Sequence, residues 1–261
     1  MHQVHIDHSE SIIKERMSKI KNKIIVISNK GGVGKSSISV LLGIALSKKD
    51  FKVGILDSDI HGPSIAKMMG VEGIGHKPKD ENTVEPIIKE GIKIVSMGSI
   101  LPETDKALIW RGPIKISVIK QFLSDFEWGE LDYLIIDLPP GTGDEPLSIC
   151  QYIKDINGAV VVTTAQKISM LDVSKAIDFL NKLNIKIYSI VENMSEFVCP
   201  HCGKSSKLFY SKDDIYSNFK DIKIVKIPFY IDIMEKLDNG EPFSIFDNKK
   251  DLLEKLLSII S

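Results

Sequence analysis

A glycine-rich loop ending in Lys35 and Ser36 constrains this 261-residue chain more than any other segment. The loop follows an apolar run, Ile24–Ser28, and leads into a segment whose apolar residues recur at helical spacing. Glycines let successive backbone N–H groups turn inward, and the following helix adds partial positive charge at its N-terminus. The sequence therefore predicts a phosphate cradle, in which Lys35 reaches the β- and γ-phosphates and Ser36 takes one position on Mg²⁺.

The residues that we assign to this cradle form one continuous segment. They are Asn29, Lys30, Gly31, Gly32, Val33, Gly34, Lys35, Ser36 and Ser37. The usual pattern has glycine where Asn29 stands, so this position departs from it. A tight glycine-rich turn without a ligand is the alternative, but the strand, loop, Lys-Ser pair and helix all favour phosphate binding.

Seven short apolar runs rich in Val and Ile alternate with longer segments of helical period. The runs are Ile24–Ser28, Val53–Asp57, Ile92–Ser96, Tyr133–Asp137, Ala159–Thr163, Ile185–Val191 and Ile222–Ile227. Continuously apolar runs are typical of strands that are buried on both faces. The alternation predicts an α/β fold, with a doubly wound, mostly parallel sheet flanked by helices.

We expect one domain over residues 21–261, preceded by a flexible segment over residues 1–20. Two stretches inside the domain are predicted to be irregular. Gly70–Gly91 is rich in Gly, Pro, Lys and Glu, and Glu192–Ser211 contains a cysteine pair. Neither stretch has the character of a linker between independent cores.

Charge and composition exclude several classes of function. The 34 Lys and Arg residues balance 35 Asp and Glu, so the net charge of −1 does not favour nucleic acid as a partner. No run of about 18 apolar residues occurs, and the sequence therefore predicts no membrane span. Three cysteines are too few for a disulfide framework, which favours a reducing, cytoplasmic compartment.

Three aspartates follow apolar runs at positions where parallel sheets bind ligands. Asp57 and Asp59 come at the end of the second run, and Asp137 ends the fourth. Carboxylates at the carboxyl ends of strands lie beside the ligand crevice of an open sheet. Helix capping is the alternative interpretation of these aspartates.

The loop Leu138–Asp144, which contains two glycines, follows the fourth run. Such a loop is suited to sensing a γ-phosphate, because only a few atoms must move. A purely structural turn is the alternative.

Cys199 and Cys202 form a CxxC pair that can chelate one metal ion or one edge of a cluster. A thioredoxin-like redox pair is an alternative, but this pair does not open a helix after a strand. Zinc, [2Fe–2S] clusters and [4Fe–4S] clusters all usually take four thiolates, and the pair supplies two. Two copies related by a twofold axis would supply four, which predicts a homodimer. We expect Cys150 to be a buried helix residue and His201 to face solvent.

The segment Lys30–Ser36 resembles the deviant phosphate loop of the MinD, ParA and nitrogenase-iron-protein class. In that class the additional lysine, here Lys30, reaches the nucleotide of the partner subunit. The resemblance therefore implies an ATP-sandwich homodimer. Arg16 and Arg111 are the only arginines in the chain, so a lysine supplied in trans is a plausible substitute for an arginine finger.

The same resemblance assigns roles to the three aspartates. It implies that Asp59 orients or activates the water that attacks the γ-phosphate. It further implies that Asp57 and Asp137 act mainly through Mg²⁺ and its waters.

Further segments are similar to a narrower family, the Mrp/ApbC iron–sulfur cluster carrier ATPases. The matching segments are Lys30–Ser36, Asp57–Ser64, Trp110–Pro113, Trp128–Pro146, Val191–Ser195, Cys199–Gly203, Ile227–Phe229 and Gly240–Phe243. The resemblance implies an ATP-hydrolysing carrier whose [4Fe–4S] cluster is bridged by Cys199 and Cys202 of two subunits. It also implies transfer to apo iron–sulfur proteins, and adenine reading by Asn193 and the segment around Pro228.

Two other functions stay open from the sequence alone. Zinc could take the place of the cluster and tie the dimer together, as in a targeting ATPase. A MinD- or ParA-like positioning ATPase could bind membrane or nucleoid, and the amphipathic tail Lys249–Ile260 could lie on a membrane. Because the polar face of this tail carries acids as well as lysines, we expect a terminal helix docked on the sheet. We accordingly expect neither membrane nor nucleic acid as a partner.

Overall fold

One nine-stranded sheet organises the part of the chain that the structure, a computed structural model, describes: residues 8–60, 62–99, 112–166, 169–209 and 215–261. The strands are β1 (Ile20–Ile27), β2 (Val53–Asp57), β3 (Ile87–Lys89), β4 (Ile92–Ser96), β5 (Leu131–Asp137), β6 (Gly158–Thr164), β7 (Ile187–Val198), β8 (Ser205–Ser206) and β9 (Lys223–Phe229). Their order is β3-β4-β2-β5-β1-β6-β7, and both β8 and β9 pair with β7. All pairs are parallel except β3 with β4 and β8 with β7.

Helices cover both faces of the sheet. They are α1 (His8–Ser18), α2 (Lys35–Ser47), α3 (Ile65–Met68), α4 (Gly112–Ser124), α5 (Asp144–Tyr152), α6 (Ser169–Lys182), α7 (Ile231–Asp238) and α8 (Lys250–Leu257). One apolar cluster joins the sheet to α2, α3, α7 and α8, and the other joins it to α1, α4, α5 and α6.

The central strand β1 shows why its sequence is apolar throughout. Ile24 and Val26 belong to one cluster, whereas Ile25 and Ile27 belong to the other, and all four are buried. Successive side chains of a strand point to opposite faces, so a strand with helices on both sides has no polar face. The doubly wound α/β fold predicted from the sequence is confirmed.

Helix α1 contradicts part of the flexible segment predicted over residues 1–20. Its Ile13 side chain is buried in the apolar cluster, and Arg16 forms an ion pair with Glu127 at 3.0 Å. These contacts anchor the helix on the fold. Removal of the Ile13 side chain from water is favourable, and the Arg16 guanidinium has a carboxylate partner. Residues 1–7 lie outside the described residues.

Strands also occur in both stretches that were predicted to be irregular. β3 lies within Gly70–Gly91 and pairs with β4, and β7 continues to Val198 instead of ending at Val191. β8 then folds back on the end of β7. Strands of two or three residues are too short to show a period, and polar residues from Glu192 onward mask the continuation of β7.

The C-terminal segment docks on the fold, as predicted. Leu252 and Leu256 of α8 are buried in the cluster that contains α2. A 3₁₀ turn, Ser258–Ile260, follows, and the Ser189 hydroxyl of β7 donates a hydrogen bond to the Ile259 carbonyl at 2.9 Å. Within the described ranges, every helix is too short or too polar to cross a bilayer.

Candidate functional site

The phosphate loop joins β1 to α2 at the centre of the sheet. Gly32 and Gly34 have φ values of +78° and +84°, a left-handed region that side chains disfavour. α2 begins at Lys35, so the last loop residues, Lys35, Ser36 and Ser37, form the first turn of the helix. A cavity of about 220 Å³ lies over the loop and is lined by Ser28, Lys30, Gly31, Gly32, Gly34, Lys35, Ser36, Ser37, Asp59, Gly62, Ser64, Met68 and Pro140. The structure thus brings the predicted loop and Asp59 to one cavity.

Asp137 is the centre of a buried polar network beneath the loop. Its Oδ2 accepts hydrogen bonds from Lys35 Nζ at 2.7 Å and from Ser36 Oγ at 2.6 Å. Its Oδ1 accepts one from Ser39 Oγ at 2.7 Å. Asp137 is completely buried and Lys35 is 6% exposed. A buried ion pair needs such additional hydrogen bonds to offset desolvation, and the two serines supply them.

Asp57 faces the same network from the neighbouring strand. The register of β2 and β5 places Asp57 directly opposite Asp137. Its carboxylate accepts hydrogen bonds from Ser96 Oγ (2.8 Å) and from the backbone N–H groups of Ile65 (3.2 Å) and Asp59 (3.1 Å). Complete burial, with a further contribution from the Asp137 charge, raises the pKa of Asp57 to about 7.

This donor set fits Mg²⁺ held together with nucleotide phosphates. Mg²⁺ prefers oxygen ligands, keeps several waters and binds protein through one or two carboxylates plus phosphates. Asp57 and Asp137 end adjacent strands, and the Ser36 hydroxyl lies against the Asp137 carboxylate. Among the described residues, no group of three or more His, Cys, Asp or Glu side chains could hold a metal ion.

Asp59 lines two cavities. Besides the cavity over the loop, it lines one of about 400 Å³ that includes Pro139, Pro140 and Asp144 of the segment after β5. Its Oδ1 accepts a hydrogen bond from the Gly62 N–H at 3.3 Å. The carboxylate is therefore next to both the phosphate loop and the predicted γ-phosphate-sensing segment.

Asn29 and Lys30 precede the glycines and differ in their surroundings. The Asn29 Nδ2 donates a hydrogen bond to Asp172 Oδ1 of α6 at 2.7 Å. Lys30 is exposed and lines the cavity over the loop. The asparagine that replaces the usual glycine thus fastens the start of the loop to α6.

Asn193 and Pro228 lie on neighbouring strands, Asn193 near the middle of β7 and Pro228 near the carboxyl end of β9. Asn193 pairs with Ile227, the residue before Pro228, in the β7–β9 ladder. Asn193 is 8% exposed, and its Nδ2 donates a hydrogen bond to the Val33 carbonyl at 2.9 Å. The structure therefore brings Asn193 to the phosphate loop, and adenine reading stays a prediction for both residues.

Cys199 and Cys202 lie in the turn between β7 and β8. The Cys199 N–H donates to the Lys204 carbonyl at 3.0 Å, and the Gly203 N–H donates to the Cys199 carbonyl at 2.9 Å. Cys202 is exposed and Cys199 is half-buried. Hydrogen bonds from the backbone of Cys202 and His201, and from the Cys202 thiol, lower the pKa of the Cys199 thiol. This environment favours the thiolate, which is the form that binds metal.

Cys150 differs from this pair in its chemistry. It lies on α5 as predicted, partly buried against the apolar cluster, and burial raises the pKa of its thiol to about 12. A thiol that stays protonated is a poor metal ligand. His201 is exposed, as predicted.

Some residues of the predicted motifs lie outside the described residues. They are His61, Trp110, Arg111, Tyr210 and Ser211.

The fold matches one family of proteins from β1 onward, and α1 precedes the match. The matching family model is ParA, described as NUBPL iron-transfer P-loop NTPase, and it spans residues 19–261. The chain belongs to this family. Among relatives of this NTPase, the iron–sulfur cluster carrier protein of Methanocaldococcus jannaschii is 48% identical over 91% of this chain and 82% of that protein. The carrier protein of Saccharolobus solfataricus is 47% identical over 88% and 79%, respectively.

Solved structures show the same fold. A nucleotide-binding protein of Archaeoglobus fulgidus in complex with ADP has a TM-score of 0.77 and 38% identity, and the match covers 90% of this NTPase and 92% of that chain. The septum site-determining protein MinD of Pyrococcus horikoshii, complexed with Mg-ADP, has a TM-score of 0.65 at 20% identity, covering 92% and 94%. The resemblance read from the sequence is thus confirmed at the level of family and fold.

Four hydrogen bonds in the site of this NTPase were not foreseen from its sequence. Ser39 and Ser96 hydrogen-bond the two buried aspartates, Asp172 accepts from Asn29, and Val33 accepts from Asn193. Ser39 follows Ser36 by nearly one helical turn, a spacing that could have suggested it. The partners on other elements carried no comparable sequence signal.

Proposed function

We propose that this NTPase is an ATP-hydrolysing carrier that binds a [4Fe–4S] cluster between two copies of the chain and delivers it to apo iron–sulfur proteins in the cytoplasm. The observation that carries the proposal is a cysteine hairpin in a chain that also has a phosphate loop. We use this name for residues 197–206, in which β7 and β8 pair and the turn between them contains Cys199 and Cys202. Cys199 and Cys202 sit on one turn, with a lowered pKa for the Cys199 thiol. The names of the curated relatives support the same cargo.

In the nucleotide half, the loop from Asn29 to Ser37 holds the phosphates and Lys35 neutralises their charge. Lys30 reaches the nucleotide of the second copy, and Asp59 orients the attacking water from its place beside the loop. Asn193 and the segment around Pro228 read the adenine. Mg²⁺, when bound at Ser36, Asp57 and Asp137, would neutralise charge on the phosphate oxygens.

In the cluster half, two chains contribute two thiolates each. A [4Fe–4S] cluster commonly takes four cysteine ligands, so the complete cargo site is a property of the dimer. Cys202 is exposed and the hairpin lies at the end of the sheet, which leaves the bound cluster within reach of a recipient. Such a position suits transfer better than permanent retention. We further propose that hydrolysis is slow and coupled to this transfer.

Anaerobic reconstitution with iron and sulfide tests the proposal. The expected product is a brown dimer with about four irons. Cys199→Ala should lose the iron and retain nucleotide binding, because the hairpin and the phosphate loop use different side chains. Cys150→Ala is the matched control and should load normally, since burial keeps that thiol protonated. A colourless monomer with both hairpin thiols free would refute the proposal.

A structural zinc site is the second candidate. The turn and the lowered pKa of the Cys199 thiol also suit zinc, which takes four thiolates in closed structural sites. Metal analysis of protein purified without oxygen separates the two candidates. Stoichiometric zinc without iron or sulfide would favour zinc, whereas iron with sulfide would favour the cluster.

A further inference from the structure

Strand β7 contacts the phosphate loop near its middle and carries the cysteine hairpin at its end. The Asn193 amide donates its hydrogen bond to Val33 of the loop. Val198 ends the strand, and Cys199 follows it directly. Only residues 194–198 therefore separate a residue that touches the phosphate loop from the first cysteine.

Up to Asn193, the strand is fixed on both edges. Asn193 pairs with Thr164 of β6 and with Ile227 of β9. The preceding residue, Glu192, is 4% exposed and lies 3.9 Å from the ammonium group of Lys226 on β9. Displacement of this part would break two ladders of hydrogen bonds.

The strand becomes irregular immediately after Asn193. Met194 has a φ of +53°, in the left-handed region that a residue with a side chain rarely adopts. Between Asn193 and Phe197, β7 advances by four residues while β9 advances by two, from Ile227 to Phe229. Two extra residues therefore form a bulge, a feature that bends a strand and changes the direction of the residues beyond it.

Beyond the bulge, β8 pairs with the end of β7 and forms a hairpin with it. This hairpin stays attached to the end of β9, because Phe197 pairs with Phe229 and the two rings are 6.4 Å apart. The Cys199 N–H closes the turn on the Lys204 carbonyl. A change in the bulge would therefore turn the two thiols together.

The phosphate loop packs against both residues at the start of the bulge. A Cβ atom placed on Gly34 would overlap the Asn193 amide and lie 3.7 Å from the Met194 methyl carbon. A shift of the loop would therefore displace Asn193 and Met194. The strand has two extra residues at this point, and their backbone can adjust to the displacement.

We propose that Asn193 is a positioning residue through which the phosphate loop sets the orientation of the cysteine hairpin. A change in the loop on nucleotide binding moves the Asn193 amide, the bulge at Met194 absorbs the change, and the thiols of Cys199 and Cys202 turn with the hairpin. The inference rests on the proposed function, which assigns nucleotide to the loop and metal to the cysteines. It deepens that function by giving the route within one chain.

Alkylation of the metal-free, full-length protein tests this route. In a Cys150→Ala background, iodoacetamide labels only the hairpin thiols, and mass spectrometry follows the rates at Cys199 and Cys202. Saturating Mg-ADP should change these rates by about fivefold, which is the lower end of typical coupling between sites. Asn193→Ala should abolish the change at concentrations of Mg-ADP that saturate the variant.

Three further variants separate positioning from general damage. Asn193→Asp keeps the size but lacks the amide donor and should behave like Asn193→Ala. Met194→Gly accepts a positive φ without strain and should weaken the response while nucleotide still binds. Asn22→Ala removes an amide that donates to the Asp132 carbonyl, away from the loop, and should respond like the parent protein.

Three results would overturn the proposal. They are a full response in Asn193→Ala, no response in the parent protein when nucleotide is bound, and a full response in Met194→Gly. The third result decides the question if both Asn193 variants lose nucleotide binding through the proposed adenine contact. Failure of iron loading is a separate result. It would refute the cluster carrier while leaving the response of the thiols to nucleotide intact.

Discussion

Asp57 and Asp137 are adjacent buried carboxylates with different partners. Asp137 accepts from the Lys35 ammonium group and from two serine hydroxyls. Asp57 accepts only from uncharged donors among its described hydrogen bonds, which include Ser96 Oγ. Burial without a directly bonded cation favours the protonated acid, and this is why the pKa of Asp57 rises to about 7.

The raised pKa of Asp57 predicts a pH dependence of folding stability. The folded state holds this proton more tightly than the unfolded state, so the contribution of Asp57 is greatest below the ordinary pKa of 3.8 and is lost as pH rises through about 7. Asp57→Asn removes the titration. The free energy of unfolding of the variant, minus that of the parent, should therefore increase between about pH 5 and pH 8.

Urea unfolding in EDTA without nucleotide measures this difference. Asp132→Asn is the control, because hydrogen bonds from Lys21 and Lys52 lower the pKa of Asp132 and place its titration below this pH range. The difference in free energy of unfolding between Asp132→Asn and the parent should stay constant across this pH range. An equally flat result for Asp57→Asn would contradict the raised pKa.

At the scale of elements, the phosphate loop depends on its fit against β7. Gly34 combines a φ of +84° with a Cβ position that the Asn193 amide already occupies. Gly31 has no positive φ, and no described atom lies within 4 Å of its Cβ position. The two glycines of this loop therefore differ in how well they tolerate a side chain.

We expect Gly34→Ala to lower the free energy of unfolding by at least about 1 kcal/mol, the cost of a left-handed residue, with a further loss from overlap. Gly31→Ala should have a much smaller effect. Urea unfolding without nucleotide measures both. Asn193→Ala removes the overlapping amide, so the double variant Gly34→Ala/Asn193→Ala should lose less than the sum of the single losses. Equal losses for the two glycine variants would disprove this fit.

The same elements show what a sequence can predict. The loop, Asp57 and Asp137 were found because each lies at the end of an apolar run, and adjacent strands of a parallel sheet then bring them together. The Asn29–Asp172 and Asn193–Val33 hydrogen bonds were not found, because each joins residues more than 100 positions apart. The residue pattern within one segment does not specify hydrogen bonds to a distant segment.

The whole molecule has two proposed sites, a nucleotide site at the phosphate loop and a cluster site at the cysteine hairpin. In the proposed function, one copy of the chain completes neither of them. The hairpin offers two thiols where a [4Fe–4S] cluster commonly takes four ligands. Lys30 is exposed and lines the loop cavity, and the proposed function assigns it to the nucleotide of a second copy. A twofold dimer would complete both sites through the same contact surface on each copy.

If Lys30 acts on the nucleotide of the second copy, inactive chains should complement each other. Lys30→Ala and Asp59→Ala homodimers should each lack ATP hydrolysis. In a mixed dimer, the site that retains Asp59 receives Lys30 from the other chain and is restored. Random pairing of equal amounts should return about a quarter of the parent activity, since half of the dimers are mixed and each has one working site.

Phosphate release after mixing and re-equilibrating the two variants measures this recovery. A Lys35→Ala chain is the control partner for Asp59→Ala: because Lys35 pairs with Asp137 of its own chain, each mixed dimer should have one damaged site of each kind and no working one. Asp59→Ala with Lys35→Ala should therefore stay inactive, whereas Asp59→Ala with Lys30→Ala should recover. If Lys30 served its own nucleotide, both mixtures would stay inactive, and the dimer would need another explanation for this exposed lysine.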